Sequence, residues 1–404
     1  MHHIVIVGGN FAGVSTGHYL LRHVVPKLNS ITNETYKVTI ISPSDRTFFK
    51  IGAPRALVKT DVLNDDTVFQ SILNGFKEYK TSDFTFVHGA AVALDEGSKT
   101  ISVKLTAVPD QTTILSYDTL VVASGTTSSS PLWTLHGDWR TSKEGLEEVN
   151  GQLPRARSIL IAGGGPAGIE TAGEIAFNYR PRDLTLLSGD VQLLGRLNNK
   201  GVGKAAAKHL ARMGVKVIND LRVIASAPSV HDKNKTDITL SNGTTRTVDI
   251  YLDCTGGKPN TDFLPRSWLD ARSRVATDVA TLRATQAPKG VYAIGDVASF
   301  SKMNVLGASY AAPALGYTIY SDLSAATVRK GQKYGRAAAV EPLKERKYKH
   351  IESDMMFVPI GPKSGVGVAF GWRLPGFLVW LVKSRTFFLD KSPGLATGAD
   401  FTKP

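Results

Sequence analysis

The chain opens on a run of apolar residues, Ile4-Val-Ile-Val7, that meets a glycine pair and continues into Val14–Leu21 at helical spacing. That pattern predicts strand, tight turn and helix. It recurs from Ser158, where Ile159-Leu-Ile-Ala162 runs into Gly163-Gly-Gly-Pro-Ala-Gly168 and a helix carrying Glu170, Gly173 and Glu174. Each copy is followed by a second apolar strand, Tyr36–Ser42 and Asp183–Ser188. Further apolar strands close in small residue–glycine turns at Tyr117–Gly125 and Asp249–Gly257, and Gly290–Asp296 ends in Gly-Asp. Alternating strands and helices with two such turns predict the α/β class, with two Rossmann-like dinucleotide-binding domains and a small α+β C-terminal domain.

The turns carry the first chemistry. A pyrophosphate needs a strand that ends, a backbone that turns tightly, and a helix N-terminus offering free N–H groups and positive dipole. The fingerprint G-x-G-x-x-G is complete at Gly163, Gly165 and Gly168. In the first copy, Gly8-Gly9-Asn10-Phe11-Ala12-Gly13, the middle glycine is Asn10, a residue that tolerates unusual backbone angles. Two complete turns are hard to explain by packing alone. Two dinucleotides in one chain imply electrons passing between them, usually from nicotinamide to flavin.

Both second strands end in serine where an acid usually holds the ribose. Ser42 and Ser188 can bond a ribose hydroxyl without repelling a 2′-phosphate, so NADH and NADPH both remain open. Arg196 could assist, or lie on the surface. At the end of its strand, Asp296 can accept from a flavin ribityl chain, with an ordinary helix cap as the bland alternative.

Composition narrows the class. The chain has 404 residues, 42% hydrophobic and 21% charged, which excludes a disordered or collagen-like protein. Its one cysteine, Cys254, excludes a disulfide framework and a CxxC redox pair. No His/Cys/carboxylate group has metal spacing, so no metal is expected. Lys and Arg exceed Asp and Glu by 13, and residues 326–404 hold 14 of the basic residues against 6 acidic. No nucleic-acid module accompanies that charge, so no nucleic-acid partner is expected. No apolar run approaches the ~20 residues of a membrane span. The first apolar run leads straight into a glycine turn and Met1 is followed by His2, so neither a signal peptide nor myristoylation is expected. A cytoplasmic protein follows as the expectation.

In this order the segments resemble the two-dinucleotide-binding flavoprotein oxidoreductases. The likeness is to the apoptosis-inducing-factor-like branch with ferroptosis suppressor protein and type II NADH:quinone oxidoreductases, fungal members above all. It rests on Gly163–Glu174, Gly295-Asp296, Ala53-Pro-Arg-Ala56, and the stretch from Pro359–Gly367 to Val382–Phe388. The resemblance implies that Gly8 to Gly13 bind the FAD pyrophosphate, that Arg55 sits against the FAD, and that the backbone near Ala91 touches the adenine. It also places Gly125 at a domain crossing beside the cofactor and Asp296 on the ribityl chain. Gly163, Gly165 and Gly168, with Glu170 on the same helix, would bind NADH or NADPH. Glu174 would lie by the nicotinamide and flavin rings, and Gly257 would line the nicotinamide's path. The bland reading of Glu174 is a solvated acidic face shared with Glu170.

The implied layout is residues 1–126 as the first part of the FAD-binding domain and 127–283 as the inserted NAD(P)H-binding domain. The FAD domain resumes over 284–340, with a C-terminal domain over 341–404. Thr126–Pro131 and Arg283–Lys289 read as the linkers. Asn304–Pro313 departs from the quinone-channel segment of the type II enzymes, and its Tyr310 reads as a ring near the flavin or a core aromatic. Trp372, Phe377, Trp380 and Leu381, interleaved with Arg373, Lys383 and Arg385, suit either peripheral membrane contact or a helix packed on the core. Monomer and homodimer both remain open. The leading expectation is an FAD-dependent oxidoreductase passing hydride from NAD(P)H to FAD and on to a quinone-like or other small-molecule electron acceptor. The alternatives are a tailoring oxidoreductase of secondary metabolism with one specific substrate, and a signalling protein governed by its nucleotide state.

Overall fold

The computed structural model describes residues 1–63, 67–108, 110–303, 305–329, 342–350 and 352–404. The expected boundary at 340/341 and residue Asn304 lie outside the described residues.

Each glycine turn follows an interior strand that pairs in parallel with both its neighbours. The first sheet runs in the order Val291–Ala293, Thr119–Val122, His2–Val7, Tyr36–Ser42, Phe84–Asp95, Thr100–Leu105, Thr112–Ser116. Its first five strands pair in parallel and the remainder antiparallel. The second sheet is parallel throughout, ordered Val215–Ile218, Asp183–Leu187, Ser158–Ala162, Ile250–Asp253. Parallel sheets are covered on both faces, which is why their strands are continuous apolar runs rather than alternating ones. Ile4, Val5 and Ile6 are all fully buried, as are Leu186 and Ile161. The helices Phe11–Tyr19 and Pro166–Asn178 leave the two turns, the second with proline in its first turn, where a missing N–H costs nothing.

The crossings between the sheets are tied together. Thr126–Thr127 pairs antiparallel with Lys258–Pro259. Beside that ribbon, the Ser124 hydroxyl donates to the Asn260 carbonyl at 2.7 Å and the Asn260 amide donates to the Ser124 carbonyl at 2.8 Å. The expected return near residue 284 therefore moves to about Asn260. Phe263, Leu264, Trp268 and Val275 already pack against Val5, Val7 and Ile41 of the first sheet. Arg283, read as the start of a linker, is instead fixed to Asp322 at 2.9 and 2.7 Å.

The C-terminal residues span both units. A three-stranded sheet, Met356–Pro359, Gly365–Ala369 and Trp372–Leu374, packs on the helix Pro166–Asn178 and on the helix Lys200–Arg212. The helix Ser392–Thr397 returns to the first unit and packs on Phe11–Tyr19. Among the described residues no helix is long and apolar enough to cross a membrane.

His18 anchors that return. Its Nε2 faces the Ala396 carbonyl at 2.8 Å, an acceptor only, so Nε2 carries the proton and Nδ1 accepts from the Tyr79 hydroxyl at 2.8 Å. Burial lowers the pKa of this imidazole from 6.5 to about 4, with Arg22 adding to the shift. The neutral ring is the folded form. Stability is therefore complete above pH 6.5 and falls as pH drops toward 4, because there the unfolded chain takes up a proton the folded one refuses. The lowered value corresponds to about 3 kcal/mol at the acid end. A melting series from neutral pH to pH 4 is expected to fall more steeply for the wild type than for His18→Gln; parallel slopes would remove His18 from the account.

Candidate functional site

The two turns repeat one set of steric constraints. Gly8 and Gly163 take φ of +123° and +122°, a region side chains avoid. A Cβ on Gly13 would fall 1.7 Å from the Gly8 carbonyl oxygen, and one on Gly168 would fall 2.0 Å from that of Gly163. Gly9 lies against Ser42 and Gly164 against Ser188 in the same way. These glycines are required by the fold itself. Asn10, at the middle position, has φ −118°, ordinary extended backbone, so its expected tolerance of unusual angles is not called upon. Its amide donates to the Phe48 carbonyl at 3.2 Å, and its Oδ1 is buried without a partner among the described residues. Gly165 is different again: a Cβ there would meet nothing within 4 Å. Packing does not demand that glycine. Open space above a helix N-terminus does, where a phosphate approaches the backbone.

A cavity of about 530 Å³ opens beyond the first turn. Of the residues singled out in the sequence, Gly8, Gly9, Asn10, Phe11, Ala12, Ser42, Ala91, Gly125 and Asp296 line it. The segments expected at the pyrophosphate, the adenine and the ribityl chain thus share one space, and the unpaired Asn10 Oδ1 offers an acceptor at its wall. The donor set and the shape suit FAD. Lys50 also lines the cavity and pairs with Asp296 at 3.1 Å, while the Ser301 hydroxyl reaches the other Asp296 oxygen at 3.3 Å. Sequence reading missed Lys50, along with Asn260 and Phe263, which also line the cavity. Lys50 follows the Phe48-Phe49 pair outside any spaced motif, and the other two follow the second crossing, far along the chain.

The serines close their own loops. The Ser42 hydroxyl donates to the Ser44 carbonyl at 2.8 Å, and that of Ser188 donates to the Asp190 carbonyl at 3.1 Å. Neither proton is free for a ribose. Gly257 serves the crossing ribbon: a Cβ there would strike the Thr127 carbonyl oxygen at 2.3 Å.

Glu170, Glu174 and Arg55 do not line the cavity; they form an interior network. Arg55 grips Glu174 with two nitrogens, at 2.5 and 3.1 Å, and donates to the Ser384 carbonyl at 2.9 Å. Its guanidinium lies 4.6 Å from the centre of the Phe387 ring. Lys383 Nζ meets Glu170 at 2.6 Å. Glu174 is 0% exposed and Glu170 is buried, so the solvated acidic face is overturned. Burial raises the pKa of both carboxyls, Arg55 opposing this for Glu174 and Lys383 for Glu170.

Tyr310, expected near the flavin or in the core, is 63% exposed and outside the cavity lining. Asp45, His88 and Asp138, too scattered in sequence to show metal spacing, bring their ligand atoms within 4.8 Å of one another. His88 Nε2 lies 3.1 Å from the Pro43 carbonyl, and Asp138 caps the helix Trp139–Gln152 while pairing with Arg140. Cys254 is desolvated, which raises its pKa and keeps the thiol neutral.

Comparison with known proteins agrees with this geometry. Residues 2–313 match the family model described as pyridine nucleotide-disulphide oxidoreductase. "Oxidoreductase phnG" of Penicillium herquei is 34% identical over 99% of this chain and 97% of that protein. Human "Ferroptosis suppressor protein 1" is 24% identical, covering 96% and 94% of the two chains. Among solved structures, the sulfide:quinone oxidoreductase of Aquifex aeolicus superposes with a TM-score of 0.68 at 14% identity, over 98% of this chain and 92% of that one. The chain belongs to the pyridine nucleotide-disulphide oxidoreductase family, and with it to the FAD-dependent oxidoreductases that use NADH or NADPH.

Proposed function

We propose that this protein takes hydride from NADH or NADPH into FAD and delivers the electrons to a diffusible small molecule, quinone-like or otherwise organic. The observation that carries the reading is the lone Cys254 with its neutral thiol. An internal dithiol relay needs two cysteines, one of them a ready thiolate. With neither present, the electrons must leave for an acceptor outside the chain.

Bound FAD and nicotinamide supply the hydride chemistry. The chain's own residues bind, orient and exclude water. Gly8 to Ala12 present a helix N-terminus to one pyrophosphate and Gly163 to Gly168 to the other. Asp296, held by Lys50 and Ser301, offers a carboxylate edge within the cavity. We assign Arg55 and Glu174 a positioning role, because their pair fixes the second-turn helix against the short helix Ala53–Ala56 near the cavity wall.

Two variants and one titration test the reading. The purified protein should be yellow, bleach with NADH or NADPH under anaerobic conditions, and recover colour on adding a soluble quinone. Bleaching without recovery by any organic acceptor would sink the acceptor half. Gly165→Val fills space that no protein atom occupies, so it should raise the Kd for the nicotinamide cofactor while flavin content and melting temperature stay put. Unchanged affinity would show the second turn has been misread. Asp296→Ala removes a charge-assisted acceptor worth about 1.5–3 kcal/mol, so flavin affinity should drop by roughly ten- to a hundredfold. Full flavin content after dialysis would contradict the assignment.

A further inference from the structure

The sheet of the second unit sets Ser188 beside the glycine turn, because the Gly163 N–H donates to the Leu187 carbonyl at 2.9 Å. A pyrophosphate on that turn puts its adenosine ribose at the end of Asp183–Leu187, where an acid ordinarily takes the hydroxyls. The residue there is Ser188, and its proton is spent on the Asp190 carbonyl at 3.1 Å. Ser188 therefore supplies no carboxylate, neither to hold a 2′-hydroxyl nor to repel a 2′-phosphate.

An arginine from a later segment comes to this place. The Leu221 N–H donates to the Ser188 carbonyl at 3.1 Å and the Asp220 N–H to the Asp190 carbonyl at 3.2 Å, which straps the two loops together. Arg222 follows directly. Its own N–H donates to the Ser241 hydroxyl at 3.1 Å, while Nε and Nη2 donate to the Gly189 carbonyl at 3.2 and 3.1 Å. A Cβ on Gly189 would fall 2.6 Å from Arg222 Nε and 2.8 Å from its Cγ. Gly189 does not take a positive φ, so its missing side chain serves to make room for the arginine. Arg222 is exposed and forms no ion pair among the described residues, with Nη1 outside the contact to Gly189. The acids beside it, Asp190 and Asp220, leave it unpaired, and Asp190 turns toward Gly195, whose Cβ would lie 2.9 Å from the Asp190 Oδ2.

We propose that Arg222 selects the phosphorylated cofactor, its guanidinium meeting the adenosine 2′-phosphate of NADPH beside Ser188 and Gly189. The inference rests on the second turn being the nicotinamide cofactor's site. A guanidinium suits a phosphate because it stays charged and presents its N–H donors in a planar fork. Without the 2′-phosphate that charge has nothing opposite it, and Ser188 offers no acid in return for the hydroxyl of NADH. Arg196, the cation in the loop after the strand, is exposed and held by no hydrogen bond among the described residues, so it lacks the fixed placement that Arg222 has.

Calorimetric titration of the flavin-loaded protein with NADP⁺ and NAD⁺ tests the selection, since the oxidised cofactors bind without turning over. Wild type should bind NADP⁺ roughly tenfold or more tighter than NAD⁺. Arg222→Gln should weaken NADP⁺ by roughly ten- to a hundredfold, the worth of a charge-assisted hydrogen bond, and bring the two affinities together. Arg222→Lys should keep part of the preference and Arg196→Gln all of it, with flavin content and melting temperature confirming an intact fold in each. Ser188→Asp, which supplies the acid and leaves Arg222 in place, should turn the preference toward NAD⁺. Equal affinities in the wild type would overturn the proposal. So would a preference that survives Arg222→Gln or Ser188→Asp, or one that Arg196→Gln abolishes. Each of those results leaves the second turn standing as a dinucleotide site, whereas a wild type that binds neither cofactor removes the selection and the reading of the turn together.

Discussion

Two buried carboxylates and the cations brought to them govern how the parts of this molecule sit together. Glu170 and Glu174 stand one helical turn apart on the helix that leaves the second glycine turn, both out of reach of water. Left unpaired, a buried carboxylate costs several kcal/mol, so neither position is tenable without a cation brought to it. Arg55 comes from the first unit and Lys383 from the C-terminal segment. Apolar faces alone would let these pieces slide, whereas a two-nitrogen grip on one carboxylate admits a single register. The ribbon at 126–127 and 258–259 ties the crossing, but it is two residues long and sets no orientation by itself. The relative placement of the two nucleotide turns therefore depends on a network that touches neither.

The same network dictates the unusual surface of the C-terminal segment. Once Lys383 must reach Glu170 and Ser384 must turn inward, helical geometry carries Phe377, Trp380 and Leu381 to the outside. Further along, Phe387 and Leu389 are buried again, with Phe387 under the Arg55 guanidinium. The expectation of a packed helix and the expectation of an exposed one each describe half of this stretch. Composition holds both sets of aromatics; only the direction of one lysine separates them.

Much of the fold was legible because its cause is local. Gly8, Gly13, Gly163 and Gly168 are glycines for steric reasons confined to a few residues, so their spacing survives as a motif in the sequence. The continuous apolar strands likewise follow from burial on both faces. The candidate site was legible where it is made of backbone, at Gly8 to Ala12, Ala91 and Gly125, and at Asp296 after its strand. It was not legible where side chains from distant segments choose partners. Nothing at Lys50 predicts Asp296, 246 residues on, and nothing near Arg55 predicts Glu174, 119 residues on. The return of the chain near Asn260 was missed for a related reason: two reciprocal hydrogen bonds to Ser124 mark it, and pairing of that kind leaves no composition signal.

The two turns differ at two positions, Asn10 against Gly165 and Phe11 against Pro166, and the first of these differences bears on what each can hold. At the first, Asn10 occupies the middle of the fingerprint, ties itself to the Phe48 carbonyl and forms part of the wall of the cavity. A side chain there adds contacts around whatever the turn holds and slows its escape. At the second, Gly165 leaves the space above the helix N-terminus empty of protein. A pyrophosphate can approach and depart there without displacing a side chain. A first turn with a side chain at its wall suits a flavin retained through many cycles, and a bare second turn suits a nicotinamide that must exchange in each one. On the function proposed above, one fold, duplicated with the same steric rules, would serve a resident cofactor and a passing one, with the choice between asparagine and glycine helping to separate them.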